Sequence, residues 1–209
     1  MPTLPLTPRC RRVLVTAALP LLATLSGASA VRAQQRPSPT LSVSQPGAPA
    51  GTEITVRVGG LTPGLRLQLG FGGLGSNHEI LGTGAADTDG NFQLAVKIPD
   101  WVERHRVYHF FIAYAGQPPR TVSDPFIATA ADGFVRVSGN VSSATAGCAQ
   151  VRGFDETVYT LLGDAGTLQN GARVVVEGTV GAADASNGSA STCAQGPSIP
   201  VRVRQVLPG

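Results

Sequence analysis

Apolar residues alternate with polar ones along much of the chain, and a period of two is typical of half-buried β-strands. In the first half of the chain this pattern covers the runs Ile54 to Val58, Leu65 to Phe71 and Phe92 to Ile98. Short turns rich in Gly, Pro and Asp separate the runs. About seven short strands at spacings near ten residues predict a β-sandwich.

A second alternating pattern follows residues 128–133, which we interpret as a linker. One predicted strand carries Val158, Thr160 and Leu162 on the same face. The full set of predicted strands covers Val135 to Val141, Ala149 to Arg152, Val158 to Leu162, Val174 to Val180 and Ile199 to Val203. Five short strands predict a small barrel. Pro200 has no N–H for a β-ladder, and it therefore predicts an edge position for the last strand.

Residues 38–130 carry the motifs Thr52-Glu53-Ile54-Thr55-Val56-Arg57-Val58, Gly60-Leu61-Thr62-Pro63-Gly64 and Asp87-Thr88-Asp89-Gly90-Asn91-Phe92. In these turns and strands the segment resembles the immunoglobulin-like modules of bacterial envelope and secreted proteins. The resemblance implies a spacer or binding module and brings no catalytic residues with it.

Residues 133–206 carry Gly139-Asn140-Val141, Gly147-Cys148 and Thr192-Cys193 in that order. This segment resembles a small OB-like domain of exported bacterial proteins. The resemblance implies a barrel and an exported location, but no activity. We therefore predict an all-β chain with an immunoglobulin-like β-sandwich at 38–130 and a five-stranded OB-like barrel at 133–206.

The first 33 residues have the layout of a cleaved signal peptide. Arg9, Arg11 and Arg12 precede an apolar run from Val13 to Leu25, and small residues follow it up to Ala33. A run of about 13 residues is too short to cross a bilayer, which takes about 20. We expect a periplasmic or secreted protein without a transmembrane segment, exported by either the general or the twin-arginine route.

The basic charge of the chain belongs to this leader. The net charge of +3 and the pI near 9.1 suggest a nucleic-acid or membrane ligand at first. Cleavage after Ala33 removes four arginines and leaves 12 basic and 13 acidic residues. The second module also offers few aromatic rings for stacking bases, and we predict no nucleic-acid partner.

Two cysteines, Cys148 and Cys193, remain after cleavage. In an exported chain the simplest prediction for such a pair is one disulfide. A metal pair or a redox dithiol is the alternative, but the two residues lack Cys-x-x-Cys spacing.

No metal or other cofactor is predicted. His105 and His109 have the spacing of a zinc-binding helix, but the residues around them favour a strand. Four residues of a strand span roughly 13 Å, so the two imidazoles cannot both reach one metal ion. The run Gly70 to Gly75 matches a dinucleotide fingerprint without a helix behind it. We interpret that run as a loop.

The most promising binding residues contain the single Trp and two of the three Tyr of the chain. They are Trp101, Arg104, His105, Arg106, Tyr108 and Tyr114. Aromatic rings with guanidinium groups suit sugars, anions or a protein hot spot. The alternative is that Trp101 plugs the sandwich core and the arginines stay in water, so the exposure of Trp101 distinguishes the two hypotheses.

No catalytic residues are predicted. The acidic residues Asp100, Glu103, Asp155 and Glu156 are interpreted as solvated turn residues. We expect an exported, non-enzymatic binding or structural protein of the envelope that recognises a glycan or protein partner. The alternative function is a polysaccharide-acting enzyme or its accessory module, which needs a cleft with two facing carboxylates.

Overall fold

The computed structural model describes residues 38–114, 120–145, 148–181, 193 and 196–209. The predicted signal peptide lies outside the described residues. All described segments belong to one compact unit. This unit is all-β, as predicted, and combines a β-sandwich with a closed five-stranded barrel. Among the described residues there is no apolar helix with the length that a bilayer crossing needs.

Two sheets form the sandwich, one of three strands in the order β1-β3-β6 and one in the order β2-β9-β7-β4-β5, with β8 paired to β7. The strands are β1 Thr40–Val43, β2 Gly47–Ala48, β3 Glu53–Gly59, β4 Arg66–Gly72, β5 His78–Ala85, β6 Phe92–Lys97, β7 Val107–Tyr114, β8 Thr121–Val122 and β9 Phe126–Ala128. The alternating pattern correctly placed the inward faces of β3, β4 and β6. Val56, Leu69 and Phe71 are fully buried between the sheets.

The barrel closes in the strand order β10-β11-β12-β14-β13, with β13 paired to β10. Its strands are β10 Phe134–Thr145, β11 Cys148–Gly153, β12 Val158–Leu162, β13 Arg173–Val180 and β14 Ile199–Pro208. Valines dominate its core, and Ile127 of the sandwich strand β9 joins them. The wall is tight, because a Cβ added at Gly139 would overlap the carbonyl oxygen of Arg152.

The inward face of β12 differs from the prediction. In β12 the core residues are Tyr159 and Leu161, one position away from the predicted face. Thr160 is buried on the opposite face, where its hydroxyl lies 2.9 Å from the hydroxyl of Ser198. Both faces of β12 are therefore buried, and its sequence does not show the alternation of apolar and polar residues that marks a half-buried strand.

The prediction of an edge position for the last strand is wrong. Strand β14 lies between β12 and β13 inside the closed barrel. Pro200 pairs with Thr160 of β12, whereas the pairing with β13 reaches only as far as Val201. The proline is tolerated because it sits at the end of β14 where only one neighbouring strand is present.

The predicted disulfide is confirmed. Cys148 and Cys193 are bonded, with Cα atoms 5.1 Å apart and a sequence separation of 45. The amide of Gln150 donates a hydrogen bond of 3.1 Å to the carbonyl oxygen of Cys193. The bond therefore fixes the segment after β13 to the start of β11.

Candidate functional site

Trp101 lies on the turn that crosses from β6 in one sheet to β7 in the other. One side of its indole packs on the aromatic core, with ring centroids 5.9 Å from Phe71 and 5.6 Å from Tyr108. The side chain is nevertheless 48% exposed. Trp101 is therefore neither a core plug nor a free surface residue, because one part of the ring anchors it and the other part faces solvent.

A carboxylate holds the orientation of this ring. The indole N–H of Trp101 donates a hydrogen bond to Glu79 on β5. Strand β5 pairs with β4 so that Glu79 lies opposite Phe71. Sequence reasoning missed Glu79 as a partner of Trp101, because only the register between β4 and β5 brings the two residues together.

Tyr108 supports the ring from below. It is 4% exposed, it stacks on Phe71 at 5.2 Å, and its hydroxyl accepts a hydrogen bond of 2.8 Å from the backbone N–H of Glu103. The buried ring in this part of the sandwich core is thus Tyr108, and not Trp101 as the core-plug hypothesis expects. It also ties the crossing turn to the sandwich, so that the exposed indole sits on a rigid base.

Arg104 and Arg106 lie at the end of the same turn and are exposed. Arg106 forms an ion pair of 3.1 Å with Glu103, and both side chains are more than half exposed. Such a pair contributes little to stability. The arginines remain available to a ligand from solvent.

His105 contacts the barrel instead of Trp101. Its backbone has a positive φ of 66°, its N–H donates to the carbonyl of Ala128 at 2.7 Å, and its Nδ1 accepts the backbone N–H of Arg136 at 3.2 Å. Its ring meets Phe134 edge-on. Burial lowers the pKa of His105, and the charges of Arg104 and Arg136 lower it further. His105 is therefore a neutral link between the two modules.

Tyr114 lies at the other end of β7, opposite Leu67, and the guanidinium of Arg120 sits 5.7 Å from its ring centroid. Leu67 and Phe71 are four residues apart on β4, which corresponds to roughly 13 Å. The structure therefore places Tyr114 away from Trp101. Of the six predicted residues, Trp101 and Tyr108 lie together, with the two arginines on the adjoining turn.

The metal and nucleotide alternatives find no counterpart among the described residues. There, no group of three or more His, Cys, Asp and Glu side chains lies where it could hold a metal ion. His105 and His109 use their Nδ1 atoms on separate partners, Arg136 and Ser123. The run Gly70 to Gly75 ends β4 and leads through a turn into strand β5, not into a helix.

The combination of Trp101 and Glu79 has the chemistry of a small recognition surface. A flat ring held by its own N–H offers an apolar face for the C–H groups of a sugar or for a side chain. A carboxylate has about four lone-pair positions, and the indole N–H uses one of them. Glu79 can therefore accept a further hydrogen bond from a hydroxyl or amide placed on the ring. We call this pair, together with Tyr108 beneath it, the Trp101 platform.

Comparisons with known proteins add little to this description. No family model matches the chain, and no curated protein matches it. Among solved structures, the chain is similar to one described as macromomycin, at 13% sequence identity and a TM-score of 0.28, over 59% of this chain and 95% of that one.

Proposed function

We propose that this chain is an exported, non-enzymatic envelope protein that binds a partner through the Trp101 platform. The observation that carries the proposal is the 48% exposure of a tryptophan that is fixed on three sides. Its indole N–H is bound to Glu79, and its ring rests on Phe71 and Tyr108. A rigid aromatic ring binds at low entropic cost, since no side-chain freedom is lost on contact.

Three further features support an exported location, periplasmic or secreted. The Cys148–Cys193 disulfide is of a kind that persists in oxidising compartments. The leader of residues 1–33 has the pattern of a signal peptide. The resemblance of both modules to those of exported bacterial proteins agrees with the same location.

Among the two partner classes, the platform favours a glycan over a protein. Sugars present one apolar C–H face and a rim of hydroxyl groups, which match the indole and the free lone pairs of Glu79. The platform is also small, whereas stable protein interfaces bury about 800 Å² on each partner. A protein partner is the alternative that the experiment must separate.

The enzyme alternative receives less support. The cavity between sandwich and barrel contains a single carboxylate, Asp155, among its described lining residues. Glycoside hydrolysis uses two carboxylates about 5 to 10 Å apart. The described residues therefore favour binding over hydrolysis.

The test is a binding screen of the full chain against envelope polysaccharides and, in parallel, against envelope proteins. We expect a polysaccharide to be retained, and W101A to weaken its binding by about tenfold, the equivalent of about 1.4 kcal/mol. E79Q keeps the ring in place and should weaken binding less. The matched control is F154A, which removes an aromatic ring that is 59% exposed on the barrel. Its affinity should stay at the wild-type value.

Two results would contradict the proposal. One is the absence of any binder in both screens. The other is a binder whose affinity W101A and F154A change equally. If a protein is retained instead of a polysaccharide and W101A weakens its binding to the same extent, the Trp101 platform remains the binding site and its partner is a protein. Circular dichroism of W101A must show the wild-type fold, and E79Q gives an independent reading if W101A fails this check.

A further inference from the structure

A concave site lies where the end of the sandwich meets the barrel. Its volume is about 240 Å³, and its walls come from the β4–β5 loop, the start of β7 and the β11–β12 turn. We call it the seam cavity. Its polar lining consists of Ser76, Arg106, His109, Asp155 and Thr157. Both signs of charge and a buried imidazole therefore meet in one small volume, separate from the Trp101 platform.

His109 is the most informative of these residues. It is 8% exposed, and its Nδ1 lies 3.1 Å from the carbonyl oxygen of Ser123. A carbonyl oxygen only accepts hydrogen bonds, so Nδ1 carries the proton. In this tautomer the lone pair is on Nε2, which has no hydrogen-bond partner among the described residues. A buried imidazole with a fixed tautomer and a free acceptor at a cavity has the properties of a ligand contact.

Asp155 is held in place by the β11–β12 turn. The turn is closed by the N–H of Gly153, which donates to the carbonyl of Thr157 at 2.9 Å. Asp155 Oδ1 accepts the N–H of Thr157 at 3.1 Å, and Oδ2 lies 3.5 Å from the hydroxyl of Tyr159. The absence of a side chain at Gly153 makes this possible, because a Cβ there would lie 2.6 Å from Oδ1. The carboxylate is thus preorganised and retains free lone pairs.

Arg106 supplies the opposite charge. Its ion pair with Glu103 uses one terminal nitrogen, Nη1. A guanidinium has five N–H donors, so several remain for a second acceptor. Arg106 suits a carboxylate in particular, because its planar donors match the two oxygens of that group.

We propose that the seam cavity binds a compact α-amino or α-hydroxy carboxylate, with the carboxylate on Arg106. A neighbouring ammonium group would donate to both Asp155 and His109 Nε2, and a neighbouring hydroxyl group would donate its one proton to either of them. The volume fits this class, because about 240 Å³ equals about eight water volumes. Pockets for drug-sized ligands start at about 300 Å³. The complete group occurs in a free small acid, whereas at the carboxyl end of a peptide the donor beside the carboxylate is an amide N–H, and the experiment distinguishes these two sources.

The experiment titrates the full chain with L-alanine, D-alanine and D-lactate and follows the Cε1–H signal of His109 by NMR. Alanyl-alanine provides the peptide arm. Acetate and ethanolamine each carry only half of the recognised group. We expect a saturable shift with at least one of the complete ligands, and binding of the half ligands weaker by about tenfold or more, as the loss of a charge-assisted hydrogen bond predicts. If alanyl-alanine binds best, the natural ligand is a peptide end; if a free acid binds best, it is a small solute.

Two variants and a control complete the test. R106Q should weaken the best ligand by about tenfold, and D155N should weaken alanine more than acetate, because it removes the negative charge that pairs with the ammonium group. R57Q changes an exposed arginine on β3 outside the cavity and should bind like the wild type. The proposal is overturned if no complete ligand shifts His109, or if R106Q and R57Q bind equally well.

Discussion

The sandwich and the barrel are built from the same kind of strand but are held together in different ways. Large aromatic rings fill the sandwich, where Phe71, Phe110 and Phe126 are fully buried. The barrel core consists mainly of valines, with Tyr159 as its one ring among the described residues. Five strands enclose too little space for several rings, and small side chains bury less apolar area.

Two other features stabilise the barrel and compensate for the small apolar area buried in its core. The Cys148–Cys193 bond links its strand β11 to the segment before β14. In addition, Ile127 of the sandwich strand β9 is fully buried in the barrel core, and Val107 of β7 packs against the same core. The sandwich can keep a large ring such as Trp101 half-exposed, whereas the barrel depends on a covalent bond and on its neighbour.

The largest effect is expected from removing the disulfide. A bond that closes a loop of 45 residues should stabilise the folded barrel by about 4 kcal/mol on the chain-entropy estimate. In the double variant C148S/C193S, hydrogen exchange of the β13 amides should accelerate strongly. The fluorescence of Trp101, the single tryptophan, reports on the sandwich, and its urea midpoint should change much less.

The control for this variant is S138A, which changes an exposed side chain of the barrel strand β10 and leaves the bond intact. It should match the wild type in both measurements. Equal losses of stability in the two modules of C148S/C193S would show that they unfold as one unit, and the comparison drawn above would then fail.

The second effect concerns the contribution of the sandwich to the barrel. I127A removes a fully buried side chain from the barrel core and should cost about 3 kcal/mol, within the usual range for such truncations. The loss should appear in the exchange of the β13 amides. I112A, at a fully buried position of the sandwich core, should instead lower the urea midpoint of Trp101 fluorescence.

If I127A lowers the Trp101 midpoint and leaves the β13 amides unchanged, Ile127 belongs energetically to the sandwich. The barrel would then depend on its disulfide alone. Native circular dichroism spectra of both variants are required before the two midpoints are compared.

Much of the fold could be predicted from the sequence because one face of most strands is solvated. Alternation then marks the inner face, as in Ile54, Val56 and Val58 of β3. The pattern failed in β12, where Thr160 is buried outside the barrel and Tyr159 inside it. A strand that is covered on both faces has no visible period, and its register depends on tertiary contacts.

The candidate site could be predicted only in part, for a related reason. Trp101 and Tyr108 were recognisable as large aromatic residues near a turn. Their partner Glu79 was not, because it depends on the register between β4 and β5. His109 was considered as a metal ligand, but its Nδ1 is directed to Ser123, 14 residues further along the chain. Composition locates the residues of a site, whereas strand pairing decides which of them meet.

The smallest effect concerns the link between the modules at His105, whose Nδ1 accepts the N–H of Arg136. Burial, with help from the charges of Arg104 and Arg136, lowers the pKa of His105 below its ordinary value of 6.5. The unfolded chain therefore binds a proton more readily than the folded chain does. The stability from this group is present above the unfolded pKa, and it falls as the pH drops through about 6.5 toward the lower folded pKa. Urea midpoints should consequently be lower at about pH 5.5 than at about pH 7.5.

The variant H105N tests the cause of this pH dependence, since asparagine tolerates the positive φ of 66° at this position and its amide oxygen can still accept the N–H of Arg136. H105N should fold and should show a smaller difference in urea midpoint between the two pH values than the wild type does. H78N, which replaces an exposed histidine on β5, should retain the wild-type change. Equal pH profiles for H105N and the wild type would remove His105 as the titrating link. The junction between sandwich and barrel would then depend on the apolar contact of Ile127 rather than on a neutral imidazole.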